Sequence, residues 1–253
     1  MQPVALEWTT EVAIAAWLVD RMGGFAEGVG SVVPMGFDAY ARVFHPLQNG
    51  PDRRWADLAA RNGRIAHPEM QLHLIAHPPG IAPPAYDHPV EVAEGSLPPE
   101  QLEALVEVMR RHTGTPDRAV FAVWDGYGAA AGVRYTIPGG RTEPLPPLAP
   151  PGVLAAPRLE LPGRSYVLLQ GDVADAAGVA DLFNGDAPNL WWPEDRAWCV
   201  ASEIDFAWTY VGGSEAVIAD VLACAALEAL PARSTDGVTW DSDVLNSALD
   251  QAP

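Results

Sequence analysis

The chain has 253 residues, 49% of them hydrophobic and only 19% charged, which is too apolar for a disordered protein and long enough for one large domain or two small ones. Its 33 acidic residues face 15 basic ones for a net charge of −18, a surplus that argues against binding nucleic acid or an anionic membrane surface. Every basic residue is an arginine, so a Schiff-base lysine, a P-loop lysine and a Ser-Lys nucleophile pair are excluded.

The N-terminal residues MQPVALEW carry no basic segment ahead of an apolar run, and the longest apolar run, Val217 to Leu230, is interrupted by Asp220 and Glu228. No secretory signal or membrane span is therefore expected, and the sequence predicts a cytoplasmic protein. Thr10 is placed to cap a helix over residues 11–22 that stops at Gly23-Gly24. Residues 28–46 mix Val32, Val33, Tyr40, Val43 and Phe44 with turn residues, which predicts a strand, a turn and a second strand. Residues 52–61 read as a short helix with Trp55, Leu58 and Ala59 on one side and Asn62-Gly63 as its stop. His67, His73 and His77 follow in a proline-bracketed run that alternates as an extended segment does. Four residues of strand separate side chains by about 13 Å, too far for one metal ion, so no metal site is expected.

The clearest helix covers residues 98–112, with prolines in its first turn and Leu102, Leu105, Val106 and Met109 at helical spacing. Ala119–Trp124 then reads as a buried strand closed by Asp125-Gly126. The glycine pattern of residues 126–132 is followed by the β-branched VRYTI and by Pro138-Gly139-Gly140, which suits a hairpin connection and not a dinucleotide-binding loop, so no cofactor is expected. Residues 138–157 are proline-rich and form the best connection in the chain. They lie either within a single unit spanning 1–253 or between two subdomains, 1–137 and 158–253. Beyond them come two strands joined at Pro162-Gly163 and a short helix over residues 175–183.

The densest mixture of costly side chains runs from Asn189 to Gly213. Its middle alternates, with Trp198, Val200, Ser202, Ile204 and Phe206 on one side and Cys199, Ala201, Glu203 and Asp205 on the other, which predicts a strand with an apolar and an acidic face. Glu194, Asp195 and Arg196 precede it in a turn containing Pro193. Trp191 and Trp192 are candidates to stack on a ligand or anchor an interface, although a tryptophan pair is more often core. Ser214 caps a helix over residues 215–229, and the tail that follows contributes Trp240 and aspartates, its end expected to fray. Cys199 and Cys224 lack a CxxC spacing and read as packed thiols.

Strands clustered with hairpin-like connections and three covering helices predict an α+β fold with a mixed or mainly antiparallel sheet. Several phrases, GSVVPMGFDAYARVFHP, FAVWDGYG, LPGRSYVLL, PNLWWPEDRAWCVASEID and TYVGGS, resemble a group of uncharacterised proteins from actinobacteria. That resemblance implies one complete unit and brings no activity with it. Two functions fit the residues. The first is a non-catalytic binding protein, of the antitoxin or immunity kind, that holds a basic protein partner through an acidic face and the aromatic anchors Trp191 and Trp192, with Glu194, Asp195, Arg196, Glu203 and Asp205 around them. The second is a small hydrolase-like enzyme that uses Glu203, Asp205 or His45 as acid and base in a tryptophan-lined cleft.

Overall fold

Runs such as AVFAV, LWWP, WCVAS and WTYVGG have no polar face to turn to water, and each becomes a strand buried on both sides. The computed structural model describes residues 6–81, 90–128, 130–136, 141–144, 146–183 and 185–251. In its first half lie β1 (Glu7–Thr9), α1 (Ala16–Val19), β2 (Ala39–Phe44), α2 (Trp55–Arg61), α3 (Leu72–Ile75), α4 (Pro99–Arg111), β3 (Ala119–Trp124) and β4 (Val133–Thr136). The second half adds β5 (Arg141–Pro144), α5 (Pro151–Leu154), β6 (Leu159–Leu161), β7 (Arg164–Gly171), α6 (Ala176–Leu182) and β8 (Leu190–Pro193). It ends with β9 (Trp198–Ser202), β10 (Trp208–Gly213), α7 (Glu215–Ala223), β11 (Glu228–Ala232) and α8 (Val244–Leu249).

Nine strands form one antiparallel sheet in the order β1-β7-β3-β8-β9-β10-β2-β11, with β6 beside β7, and β4 pairs with β5 in a separate hairpin. The fold is α+β, as expected. Strands from before and after residues 138–157 interleave, since β3 lies between β7 and β8 while β2 lies between β10 and β11. Alternate residues feed two cores. Val43, Phe121, Leu169, Trp191, Trp198 and Val211 pack under α4, α6 and α7. Phe44, Val120, Leu168, Trp192, Cys199 and Tyr210 pack under the N-terminal segment, α2 and α3. No helix among the described residues is long and apolar enough to cross a membrane.

Several local expectations give way to tertiary context. The helix over 11–22 is instead a 3-10 turn at Val12–Ala15 followed by the single turn of α1, and the Thr9 hydroxyl, not Thr10, receives the Glu11 N–H. Residues 7–9 are committed to the sheet edge and β-branched Val12 and Ile14 follow, so helical bonding begins in its tighter form. Val32 and Val33 follow a 3-10 turn at Val29–Ser31 and form no strand. The histidine run closes into α3 between its prolines, with Ala76 N bonded to Leu72 O at 2.9 Å. The helix expected to reach residue 229 ends at Ala223, because residues 228–232 complete the free edge of β2, where Pro231 is tolerated. The tail carries α8, which is docked with Asp243 and Asn246 fully buried, and the end of the chain, residues 252–253, lies outside the described residues. Within 138–157, β5 and α5 form, Ala149 and Val153 join the first core, and Pro138-Gly139-Gly140 lies outside the described residues.

Candidate binding site

β9 is short, five residues with both faces buried, and a turn rich in charge sits at each of its ends. The expected acidic strand face therefore does not exist. Cys199 and Ala201 fill the second core, and the strand stops at Ser202 before Glu203 and Asp205. Trp191 and Trp192, each 1% exposed, point into opposite cores. The sequence candidates are thus divided: Trp192, Glu194 and Arg196 line one cleft, Glu203 and Asp205 line another at the far end of β9, and Trp191 lines neither.

In the first turn, Asp195 has a structural task. Its carboxylate accepts bonds from Thr113 Oγ1 at 2.9 Å and Gly114 N at 2.7 Å, fastening the β8–β9 connection to the end of α4. Arg118 pairs with Glu194 at 2.7 Å across the adjoining strands, with both side chains more than half exposed. Arg196 occupies the left-handed region at φ 56° and lays its guanidinium 5.6 Å from the Trp17 ring.

The second turn, residues 203–207, is organised by Arg164 at the start of β7. Its Nη2 reaches Glu203 at 2.5 Å and Asp205 at 3.8 Å, and its guanidinium lies 4.9 Å from the Phe25 ring. The Asp205 side chain is 77% exposed. Phe206 stacks on Trp208 at 4.5 Å, and Arg42 lies 3.6 Å beneath the Trp208 ring, so the floor is an aromatic stack on a buried cation. Burial lowers the Arg42 guanidinium to about 10, which leaves it charged at neutral pH. Gly95, at φ 76°, donates its N–H to Phe206 O at 2.8 Å and holds the turn from outside.

Above this floor two adjoining cavities of about 200 and 210 Å³ share Asp205, Phe206, Val238 and Trp240. Phe25 is 55% exposed at one wall and Trp240 75% exposed at the other. The walls come from distant parts of the chain. Residues 29–30 donate backbone bonds to Asp236 O and Ser234 O, and Glu69 accepts the Gly237 N–H at 2.7 Å. The next anchor is Asp243, whose buried carboxylate accepts from His67 Nε2 at 2.6 Å, Asn246 N at 2.9 Å, Asn246 Nδ2 at 2.8 Å and Gln71 N at 3.0 Å. Burial pushes this carboxyl up, but those bonds outweigh it and hold it below the usual carboxylate range. Glu94, Glu203 and Asp205 against Arg164 make the groove net acidic.

The groups named for acid–base chemistry do not converge. Glu203 is engaged by Arg164, while His45 is fully buried, bonded to Ala93 O at 2.7 Å and to Thr209 Oγ1 at 3.0 Å. Cys199 is fully buried and burial pushes its thiol well above the ordinary range. Among the described residues no group of three or more His, Cys, Asp or Glu is placed to hold a metal ion. Phe25, Arg164 and Trp240 escaped the sequence reading as site residues. The one local signal was an aromatic residue in a polar tail, Trp240 between Thr239 and Asp241. Comparisons with models of protein families, with curated proteins and with solved structures find no match to this chain.

Proposed function

We propose that this chain is a non-catalytic binding protein that holds a cationic protein partner in the groove between Phe25 and Trp240. The observation that carries the reading is the juxtaposition of exposed Trp240 and Phe25 with the exposed carboxylate of Asp205 in one acidic groove. An arginine or lysine entering it finds an aromatic face and a carboxylate together, and such cation–π contacts contribute about 0.5–2 kcal/mol each. The net charge of −18 supplies long-range attraction toward a basic partner and speeds encounter. Arg164 against Phe25 and Glu203 is an internal example of the same chemistry. The role is of the antitoxin or immunity kind, in which an acidic protein masks a basic one.

The test is titration of the full chain with a synthetic peptide alternating arginine and leucine, against the same peptide with glutamate for arginine. The arginine peptide should bind, quench Trp240 fluorescence and weaken as salt rises. Trp240→Ala and Asp205→Asn should each weaken it about tenfold, the effect of losing roughly 1.4 kcal/mol. Equal binding of the two peptides, or affinities untouched by both substitutions, overturns the proposal.

A further inference from the structure

A cavity of about 470 Å³, larger than either half of the groove, is at the other end of β9 and owes nothing to the groove. Its floor follows from the strand register. Glu7 lies opposite Gln170, Gln170 opposite Val120 and Val120 opposite Trp192, so these four residues form one cross-strand row on the face of the sheet that carries the second core. Ile14 from the N-terminal segment lines the cavity as well. With strands spaced at about 4.8 Å, the row from β1 to β8 is about 14 Å long. The volume falls within the roughly 300–1,000 Å³ of small-molecule sites.

Glu7, Asp117, Arg118, Glu194 and Arg196 are the charged side chains that line this slot. Arg118 and Glu194 neutralise one another at its mouth. Glu7, on the β1 side, forms no ion pair among the described residues, and neither does Arg196, beyond the β8 side, although both line the cavity. Arg196 is held there in a left-handed backbone conformation that costs a non-glycine residue about 1–2 kcal/mol. Strain of this kind is concentrated at ligand sites. The Trp17 ring beneath its guanidinium has a buried indole N–H with no acceptor among the described residues. Gln170, at the middle of the row, brings an amide able both to donate and to accept.

We infer that this slot binds a small zwitterion, an extended peptide of about three or four residues with free termini, its ammonium toward Glu7 and its carboxylate toward Arg196. At about 3.4 Å per extended residue, four residues match the row, and a shorter molecule reaches both charges through the long Glu and Arg side chains. Arginine suits the carboxylate end because its planar fork can hold both oxygens.

The experiment is calorimetric titration of the full chain with trialanine and tetraalanine, each compared with its N-acetyl and its C-terminal amide form. The free peptides should bind, and each blocked form should bind at least about tenfold more weakly, a loss of roughly 1.4 kcal/mol. Arg196→Asn, chosen because asparagine tolerates the left-handed conformation, should bind the free acid and the amide alike. Glu7→Gln should likewise abolish discrimination against the acetylated form while keeping that against the amide. Circular dichroism melts confirm that both variants are folded. Failure of the free peptides to bind at millimolar concentration, or binding in which blocked and free termini are equivalent in the parent chain, overturns the inference. So does unchanged end discrimination in folded Arg196→Asn and Glu7→Gln.

Discussion

Acidification should weaken this fold through His45 in particular. The imidazole is fully buried, with Nδ1 donating to Ala93 O at 2.7 Å and Nε2 accepting from Thr209 Oγ1 at 3.0 Å, and that hydroxyl shares a 2.7 Å bond with Ser202. Burial, and to a lesser degree the charge of Arg42, hold its pKa down at about 4 against the opposing pull of the Ala93 carbonyl. An unfolded histidine titrates near 6.5. The unfolded chain therefore binds the proton first, so the stabilisation is complete above pH ~6.5 and is lost as pH falls toward the folded value. At about 1.4 kcal/mol per pH unit, the interval from about 6.5 to about 4 corresponds to about 3 kcal/mol.

The assay is urea unfolding, followed by tryptophan fluorescence, at a series of pH values from neutral down to 4, on the parent chain and on His45→Asn. Asparagine can donate to the Ala93 carbonyl but does not titrate. Groups that titrate alike in both chains cancel in the difference, which matters because burial also raises the Glu228 and Asp175 carboxyls. The stability difference between the two chains should change in favour of His45→Asn by about 3 kcal/mol across the series, or roughly 6–12 °C in melting temperature for a chain of this size. Parallel pH profiles would refute the reasoning, because a neutral buried imidazole could not then be what acid disrupts.

Asp243→Ala leaves four donors without their acceptor and should destabilise the fold by about 3–5 kcal/mol at neutral pH, as measured by urea unfolding. Because the folded Asp243 carboxyl lies below its ordinary value, its stabilisation is present above pH ~4 and lost as pH falls further, so the gap between parent and variant should close on acidification. Gly95→Ala places a Cβ 2.8 Å from Ile204 O at φ 76°, and a loss of about 2 kcal/mol is expected. Since the Gly95 N–H holds Phe206, the same variant should weaken the arginine peptide while leaving trialanine binding unchanged, which paired titrations would check.

How far the sequence foretold this architecture depends on whether a residue's partner is local. α4 was legible because Leu102, Leu105, Val106 and Met109 share a helical face and Pro99 opens the first turn. The β6–β7 hairpin was legible in Gly163, which adopts φ 76°, and the start of α7 in Ser214, whose hydroxyl accepts from Val217 N at 3.4 Å. β11 was not, because Glu228–Ala232 reads as helix until the open edge of β2 is known. Glu228 then gives both carboxylate oxygens to the first N–H groups of α2, at 2.7 and 2.8 Å. Alternation misled around β9 because period two implies a solvated face only when one side of the sheet is open. Of the candidate residues, the sequence placed Glu194, Asp195 and Arg196 correctly in a turn but could not divide them from Glu203 and Asp205. Phe25, Arg164 and Trp240 meet across more than 200 residues of chain, and His67 meets Asp243 across 176, with no local pattern to announce either.

The position of both clefts follows from this double burial. A sheet covered on each face has no strand surface on which a charge can be kept hydrated, and burying a charge is costly: Arg42 on β2 is fully buried with Nη1 donating to Pro68 O and its guanidinium against the Trp208 ring, and burial lowers its pKa. Charged side chains along β8, β9 and β10 are thereby displaced to the connections: Glu194, Asp195 and Arg196 at one end, Glu203 and Asp205 at the other. The N-terminal layer that buries the second face spans the distance between those ends. Ile14 lines the slot, Trp17 lies under Arg196, and Phe25 with Ser31 and Val32 lines the groove. Each cleft therefore combines charges that the strands could not hold with apolar side chains from the layer that excluded them. That combination fits ligands carrying charge on an apolar or peptide frame better than it fits simple ions.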